Sequence, residues 1–186
     1  IDLLNEFTGH KKFEPLVENV TPAQYLKTLG VLSKQLLVSY GNYLNDSDLE
    51  LLSENKVSLA YCPRVSDNLH NKKLDFEKVL KYFPNRFGFG VNSLSFNKDL
   101  SLLNEVKYVN DGKLDAVEVI KYLTIIPAKI LRLNNIIGSL ETDKDADFNV
   151  FLLKDNEDYN AILNKERPDR VYIKARCVVK HGEMKY

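Results

Sequence analysis

Three short apolar runs constrain this chain more than anything else in it. Residues 35–40, 57–61 and 86–91 are rich in β-branched, aromatic and aliphatic side chains, and helical patterning follows each of them. Gly41 bounds the first run and Cys62-Pro63 stops the second. A strand–helix rhythm with short connections predicts parallel βα units rather than a meander. The helices are signalled individually. Thr21-Pro22 reads as an N-cap followed by Pro at the first helical position, with Tyr25, Leu26, Leu29 and Leu32 on one face. Asn45 with Asp48 three residues on is a capping pattern, with Leu44 set to staple on Leu49, for a helix running to about residue 55. Asp75 opens a short helix through Tyr82, and Asn97 or Lys98 opens another carrying Leu100, Leu103, Val106 and Val109. Residues 114–133 read as a longer helix interrupted at Pro127, and the polar residues 63–73 as a loop. Leu3, Leu4 and Phe7 give a short apolar stripe near the beginning.

The ending changes character. Residues 148–153 and 171–179 alternate like strands of a separate β-structure, followed by a turn at Gly182 and a final short strand. We therefore expect two parts, residues 1–137 and residues 138–186.

Composition narrows the function classes. Lys+Arg and Asp+Glu are both 26, so no basic excess points to nucleic acid. No apolar run is long enough to span a bilayer, and the two cysteines, Cys62 and Cys177, form no CxxC pair or disulfide framework. A cytoplasmic protein with no membrane or nucleic-acid partner is the expectation. The chain opens at Ile1 and its only methionine is Met184, from which we expect an excised or incompletely represented N-terminus.

Gly138-Ser-Leu-Glu-Thr-Asp-Lys144-Asp145-Ala146-Asp147-Phe148 is the most specific stretch. It resembles the "GSLExGKDADL" signature of the amidohydrolase superfamily, in its deaminase and chlorohydrolase branch. Thr124-Ile-Ile-Pro-Ala128-Lys-Ile-Leu131 resembles the helix before that signature. Upstream, residues 39–46 resemble the family's sixth barrel strand and the turn after it. Residues 60–64 resemble the seventh, "HCPxSN". Gly90-Val91-Asn92-Ser93, with Asn97 and Leu102-Leu103-Asn104-Glu105, resembles the eighth. Within the branch the likeness is greatest to aminodeoxyfutalosine deaminases and their relatives.

The resemblance implies an α/β fold: the C-terminal part of a (β/α)8 metal-dependent hydrolase barrel, strands six to eight with their helices, plus strands of a small composite β-sandwich. It implies a hydrolase acting on C–N bonds, in which zinc or iron acidifies a water and a carboxylate accepts its proton. Here the family positions are substituted. Tyr40 stands at the sixth-strand acid/base His, Tyr61 at the seventh-strand His and Asn92 at the eighth-strand metal-ligand Asp. Asn has the shape of Asp without its charge or basicity, and Tyr, with an ordinary pKa of about 10, is a poor base near neutrality. These substitutions lead us to expect impaired catalysis at Tyr40 and Asn92, with Tyr61, Arg64, Ser66, Asn68 and Asn97 as substrate-facing candidates. We expect no metal or cofactor for this chain itself, and zinc or iron only if the missing half retains its ligands. His10, His70 and His181 are scattered and fall in no motif. The Asp145/Asp147 pair reads as turn residues, with Asp145 and Lys144 holding the junction of the two parts.

As partners we expect the missing N-terminal half or a chain supplying it, since open sheet edges and an apolar inner face would otherwise be left. A small-molecule ligand and, by resemblance, a homodimer are also expected. The alternative reading is a non-catalytic pseudoenzyme that binds a ligand or pairs with an active paralogue.

Overall fold

The computed structural model describes residues 20–70, 72–180 and 183–184. The apolar stripe at Leu3, Leu4 and Phe7, His10, His181 and the turn at Gly182 lie outside the described residues, as does the side chain of His70. Among the described residues the elements run α1 (Pro22–Thr28), β1 (Leu37–Ser39), α2 (Asp46–Glu54), β2 (Ser58–Tyr61), α3 (Pro63–His70), α4 (Phe76–Tyr82), β3 (Phe87–Phe89), α5 (Leu102–Asn110), α6 (Ala116–Leu123), α7 (Ile125–Ile130), β4 (Phe148–Val150), a 3-10 turn (Tyr159–Asn164), β5 (Arg170–Ile173), β6 (Arg176–Lys180) and β7 (Glu183–Met184).

β1, β2 and β3 form a parallel three-stranded sheet in that order. β4 to β7 form a four-stranded antiparallel sheet, also in chain order. The fold is thus α/β with two small sheets, and the expected parallel units are present. Both predicted capping signals form. The Thr21 side chain accepts from Gln24 N–H, and the Gln24 side chain accepts from Thr21 N–H. Asn45 and Asp48 do the same reciprocally for α2.

The core lies between the parallel sheet and its helices. Leu49, Leu52, Leu59, Tyr61, Val79, Phe83, Phe87, Val106 and Val119 are fully buried or nearly so. Phe87 stacks on Tyr122 with ring centroids 4.1 Å apart. Gly88 is small for a reason. A Cβ there would stand 3.0 Å from the Pro127 Cβ, so glycine lets α7 lie directly on β3.

Four sequence expectations are corrected. Residues 63–70, read as loop, are helix α3, because Pro63 occupies the first turn, where a missing N–H is harmless. The helix expected from Asn97 or Lys98 starts only at Leu102, with Ser101 as N-cap. The break expected at Pro127 falls at Thr124, whose φ of −130° and ψ of −89° end α6. Pro127 sits in the first turn of α7, where it removes no intrahelical bond. Residues 171–179 are two strands of a hairpin, not one. Lys174 and Ala175, at φ 49° and 62°, make its two-residue turn.

Asp145 and Asp147 act on that hairpin. Asp147 Oδ1 accepts from Lys174 N–H at 2.7 Å, and Asp145 Oδ2 lies 3.7 Å from Lys174 Nζ. The Lys144 ammonium closes the preceding segment on itself through Ser139 Oγ and Glu141 Oε1.

Candidate functional site

Parallel strands aim their carboxyl ends at one face, so Tyr40, Cys62 and the residues from Gly90 onward emerge together. Tyr40 N–H still bonds Ala60 O at 2.9 Å, and Gly90 N–H bonds Tyr61 O at 2.9 Å, so the ladder runs up to the point of departure. Immediately beyond it the backbone turns sharply. Tyr40 has φ 66° and Asn92 φ 59°, left-handed conformations that non-glycine residues seldom adopt. The turn brings two side chains 52 positions apart into contact: the Asn92 amide donates a hydrogen bond to the Tyr40 hydroxyl. Asn92 is exposed and Tyr40 half-buried. Both side chains of the pair can donate and accept hydrogen bonds to a ligand, and neither is a carboxylate or an imidazole.

The other predicted residues occupy different places. Tyr61 points into the helix layer. It is 0% exposed, stacks on Phe76 at 5.9 Å between centroids, and donates its hydroxyl to Leu74 O at 2.7 Å. Burial pushes its pKa far above the ordinary phenol value. Its one polar atom is spent inside the protein, so it is not at the strand-end face. Ser66 is equally buried and donates back to the carbonyl of Cys62, the residue just before α3. Asn68 is exposed and donates to Phe96 O at 3.0 Å, touching the loop that carries Asn92.

Arg64 and Asn97 belong to a network that the sequence reading missed. Its centre is Glu105, a carboxylate with no solvent exposure at the start of α5. Glu105 Oε1 accepts from Arg64 Nε at 2.9 Å and from Asn97 Nδ2 at 3.0 Å, and Oε2 accepts from the Arg64 backbone N–H at 3.1 Å. The guanidinium is shared with Asp99, through Nη1 at 3.1 Å and Nη2 at 2.9 Å. Asn97 Nδ2 also donates to Val91 O at 2.6 Å, the carbonyl directly before Asn92. The network thus pins both ends of the loop from β3 to α5 onto the start of α3. Arg64 beside Asp99, together with Ser101 N–H, holds the Asp99 carboxyl down at about 2. The signal in the sequence was Glu105 within an otherwise apolar helical face.

Cys62 is a buried small residue whose thiol burial pushes up to about 11. A Cβ at Gly90 would come within 2.8 Å of its sulfur. Among the described residues no three His, Cys, Asp or Glu side chains converge as metal ligands. None of the described helices is long and apolar enough to cross a membrane.

The model of the amidohydrolase family matches residues 9–178. A 5-methylthioadenosine/S-adenosylhomocysteine deaminase of Caldanaerobacter subterraneus is 32% identical over 136 residues, covering 68% of this chain and 31% of that protein. One from Clostridium tetani is 24% identical over 186 residues, covering 90% of this chain and 43% of that protein. Among solved structures, an adenosine deaminase from Xanthomonas campestris with bound zinc superposes with a TM-score of 0.76 at 20% identity, covering 90% of this chain and 42% of that one. A mutant atrazine chlorohydrolase from Arthrobacter aurescens, complexed with zinc and atraton, gives 0.74 at 16% identity, covering 98% and 47%. The chain spans less than half the length of each of these proteins.

Proposed function

This chain belongs to the amidohydrolase family, in its deaminase branch, and from that membership we propose that it is the C-terminal portion of a (β/α)8 barrel that holds a small ligand but is impaired in hydrolysis. β1, β2 and β3 are the sixth to eighth barrel strands, the part up to residue 137 is barrel, and residues 138–186 supply strands of a composite β-sandwich. The ligand sits at the strand ends, against Tyr40 and Asn92, with Asn68 at the margin. Arg64, Ser66, Asn97 and Tyr61 support that face rather than touch the ligand. The ligand class suggested by the relatives is an adenine nucleoside bearing a 5′-thioether, and the motif resemblance adds an aminodeoxyfutalosine-like nucleoside.

The observation that carries this reading is the hydrogen bond from the Asn92 amide to the Tyr40 hydroxyl. A metal in this family is needed to make water a nucleophile, and it requires anionic or imidazole ligands and a base. The residues this chain offers do not fit one. Asn92 is neutral and engaged with Tyr40, and the Tyr61 hydroxyl is committed to Leu74 O. No hydrolytic step is therefore assigned to these side chains.

A second reading has its own support. β1 and β3 each pair on one side only among the described residues, and Leu37 on β1 is 40% exposed. Such edges are completed by further strands, supplied by the N-terminal half of the barrel or by a partner chain, including an active paralogue. A homodimer in the cytoplasm, without nucleic acid or membrane, is the assembly proposed.

The test is a thermal-shift titration of the full-length protein with 5′-methylthioadenosine, alongside an ammonia-release assay. The expected result is a saturable rise in Tm that Asn92→Ala and Tyr40→Phe diminish, with no ammonia released. Ammonia release by the unaltered protein would overturn the reading, as would a Tm indifferent to the nucleoside.

A further inference from the structure

The parallel sheet has a second end. Where β1, β2 and β3 begin, opposite the face that carries Tyr40 and Asn92, the surface forms an open groove of about 530 Å³. Five of its lining side chains are cationic, Lys34, Lys56, Arg86, Lys129 and Arg132, and none is acidic. The chain as a whole carries 26 charges of each sign, so this excess comes from placement, not composition. None of the five makes an ion pair with a carboxylate among the described residues.

Arg86 is the inner member. Its guanidinium donates to Val57 O at 2.7 Å, Tyr82 O at 2.7 Å and Ser53 Oγ at 3.1 Å, all neutral acceptors. Those three bonds use three of its five donors, the guanidinium also lies over the Phe83 ring at 5.8 Å, and no carboxylate among the described residues neutralises it. Lys34, Lys56, Lys129 and Arg132 are exposed around it. The backbone adds a second indication. Lys56 and Arg132 stand just past the ends of α2 and α7 in the left-handed region, at φ 57° and 61°. Glycine is the usual occupant of that position because it avoids the strain. Here the chain places long cations there instead, both reaching one groove. The carbonyl ends of helices favour nearby cations, which accounts for Lys56, Lys129 and Arg132. It does not account for Lys34, which follows no helix directly, nor for the concavity.

We propose that this groove is a binding site for a small polyphosphate anion. Its volume falls in the range of small-ligand sites, about 300–1,000 Å³. Cations distributed around a concavity, with an arginine at its base, match several phosphoryl groups better than a single carboxylate. A duplex nucleic acid calls instead for an extended basic stripe and a basic domain. The site lies at the opposite strand ends from Tyr40 and Asn92, so it stands or falls independently of the ligand proposed there.

The test is isothermal titration of the full-length protein with inorganic tripolyphosphate, at low and at high salt. Saturable one-to-one binding that weakens with salt is the expected result. The double variant Lys34→Glu/Lys129→Glu alters two exposed side chains and leaves the core untouched, so its circular dichroism stays native. It weakens binding by about tenfold or more. The control Lys98→Glu/Lys180→Glu makes the same charge change away from the groove and leaves affinity unchanged. Absence of saturable heat would overturn the proposal, and so would equal weakening in both double variants. Tighter binding of a random-sequence DNA duplex, lost in the groove variant, would replace it with a macromolecular site.

Discussion

Replacing Glu105 by Ala removes the one acceptor on which three donors converge. The Arg64 backbone N–H and Arg64 Nε lose their carboxylate acceptor, and Asn97 Nδ2 keeps only Val91 O, around a position with no solvent exposure. Breaking a buried ion pair from one side typically destabilises by about 3–5 kcal/mol, because the other charge is stranded. Arg64 is not wholly stranded here. Its side chain is 14% exposed, and Asp99, 39% exposed, keeps two contacts with it. A loss of about 2–4 kcal/mol follows once that remaining pair is allowed for. With a urea m-value of about 2 kcal/mol/M, the unfolding midpoint of Glu105→Ala falls by about 1–2 M. Glu105→Gln keeps one acceptor oxygen and loses about half as much. The cycle with Arg64→Ala then shows a coupling of about 0.5–3 kcal/mol. A Glu105→Ala midpoint shift worth less than about 0.5 kcal/mol, the size of an ordinary surface change, would refute the network's role. Strict additivity with Arg64→Ala would do the same.

Other consequences are measurable in the same way. Tyr61→Phe leaves Leu74 O without its buried donor and destabilises by about 1–3 kcal/mol; an unchanged denaturation midpoint would mean that the hydroxyl does not hold that loop. Asp99 is held at about 2 in the folded chain by Arg64, below the ordinary carboxylate value of about 3.9. Its contribution to stability is therefore complete above about pH 4 and is lost as pH falls toward 2. Asp99→Asn should flatten the stability profile in that window, and an identical profile would contradict the pairing. Gly138, at φ +97°, has room for no Cβ: one would lie 2.7 Å from the Ala128 Cβ. Gly138→Ala should therefore lower stability by about 2 kcal/mol or more, read as a drop in Tm.

What was legible in the sequence was what short-range chemistry decides. The three parallel strands showed as apolar runs between turn residues. The caps at Thr21 and Asn45 showed because N-cap and third helical residue are fixed by local hydrogen bonding. Helix α3 escaped notice because Arg64, Ser66, Asp67 and Asn68 look like loop residues. Its anchoring depends on Val65 in the core and on Glu105, 41 positions away from Arg64. Asp99 is drawn to Arg64, which helps explain why α5 begins after it and not before. Tyr61 drew a substrate role from its motif, although it shares a strand face with the buried Leu59, two residues earlier. The contact between Asn92 and Tyr40 needs two left-handed turns that no residue pattern announces, since neither is glycine. The basic groove is assembled from the beginnings of three strands and the ends of helices, so its cations never stand together in the sequence.

The most direct measurement is ammonia release from 5′-methylthioadenosine by the full-length protein, supplied with zinc, with its metal content determined by elemental mass spectrometry. A hydrogen-bonded Tyr40–Asn92 pair at the strand ends predicts nucleoside binding with no ammonia above background and no improvement on adding zinc. Zinc held in near-stoichiometric amount, with ammonia release that a chelator abolishes, would contradict the account. It would mean that the Tyr40–Asn92 pair does not prevent catalysis in the full-length protein.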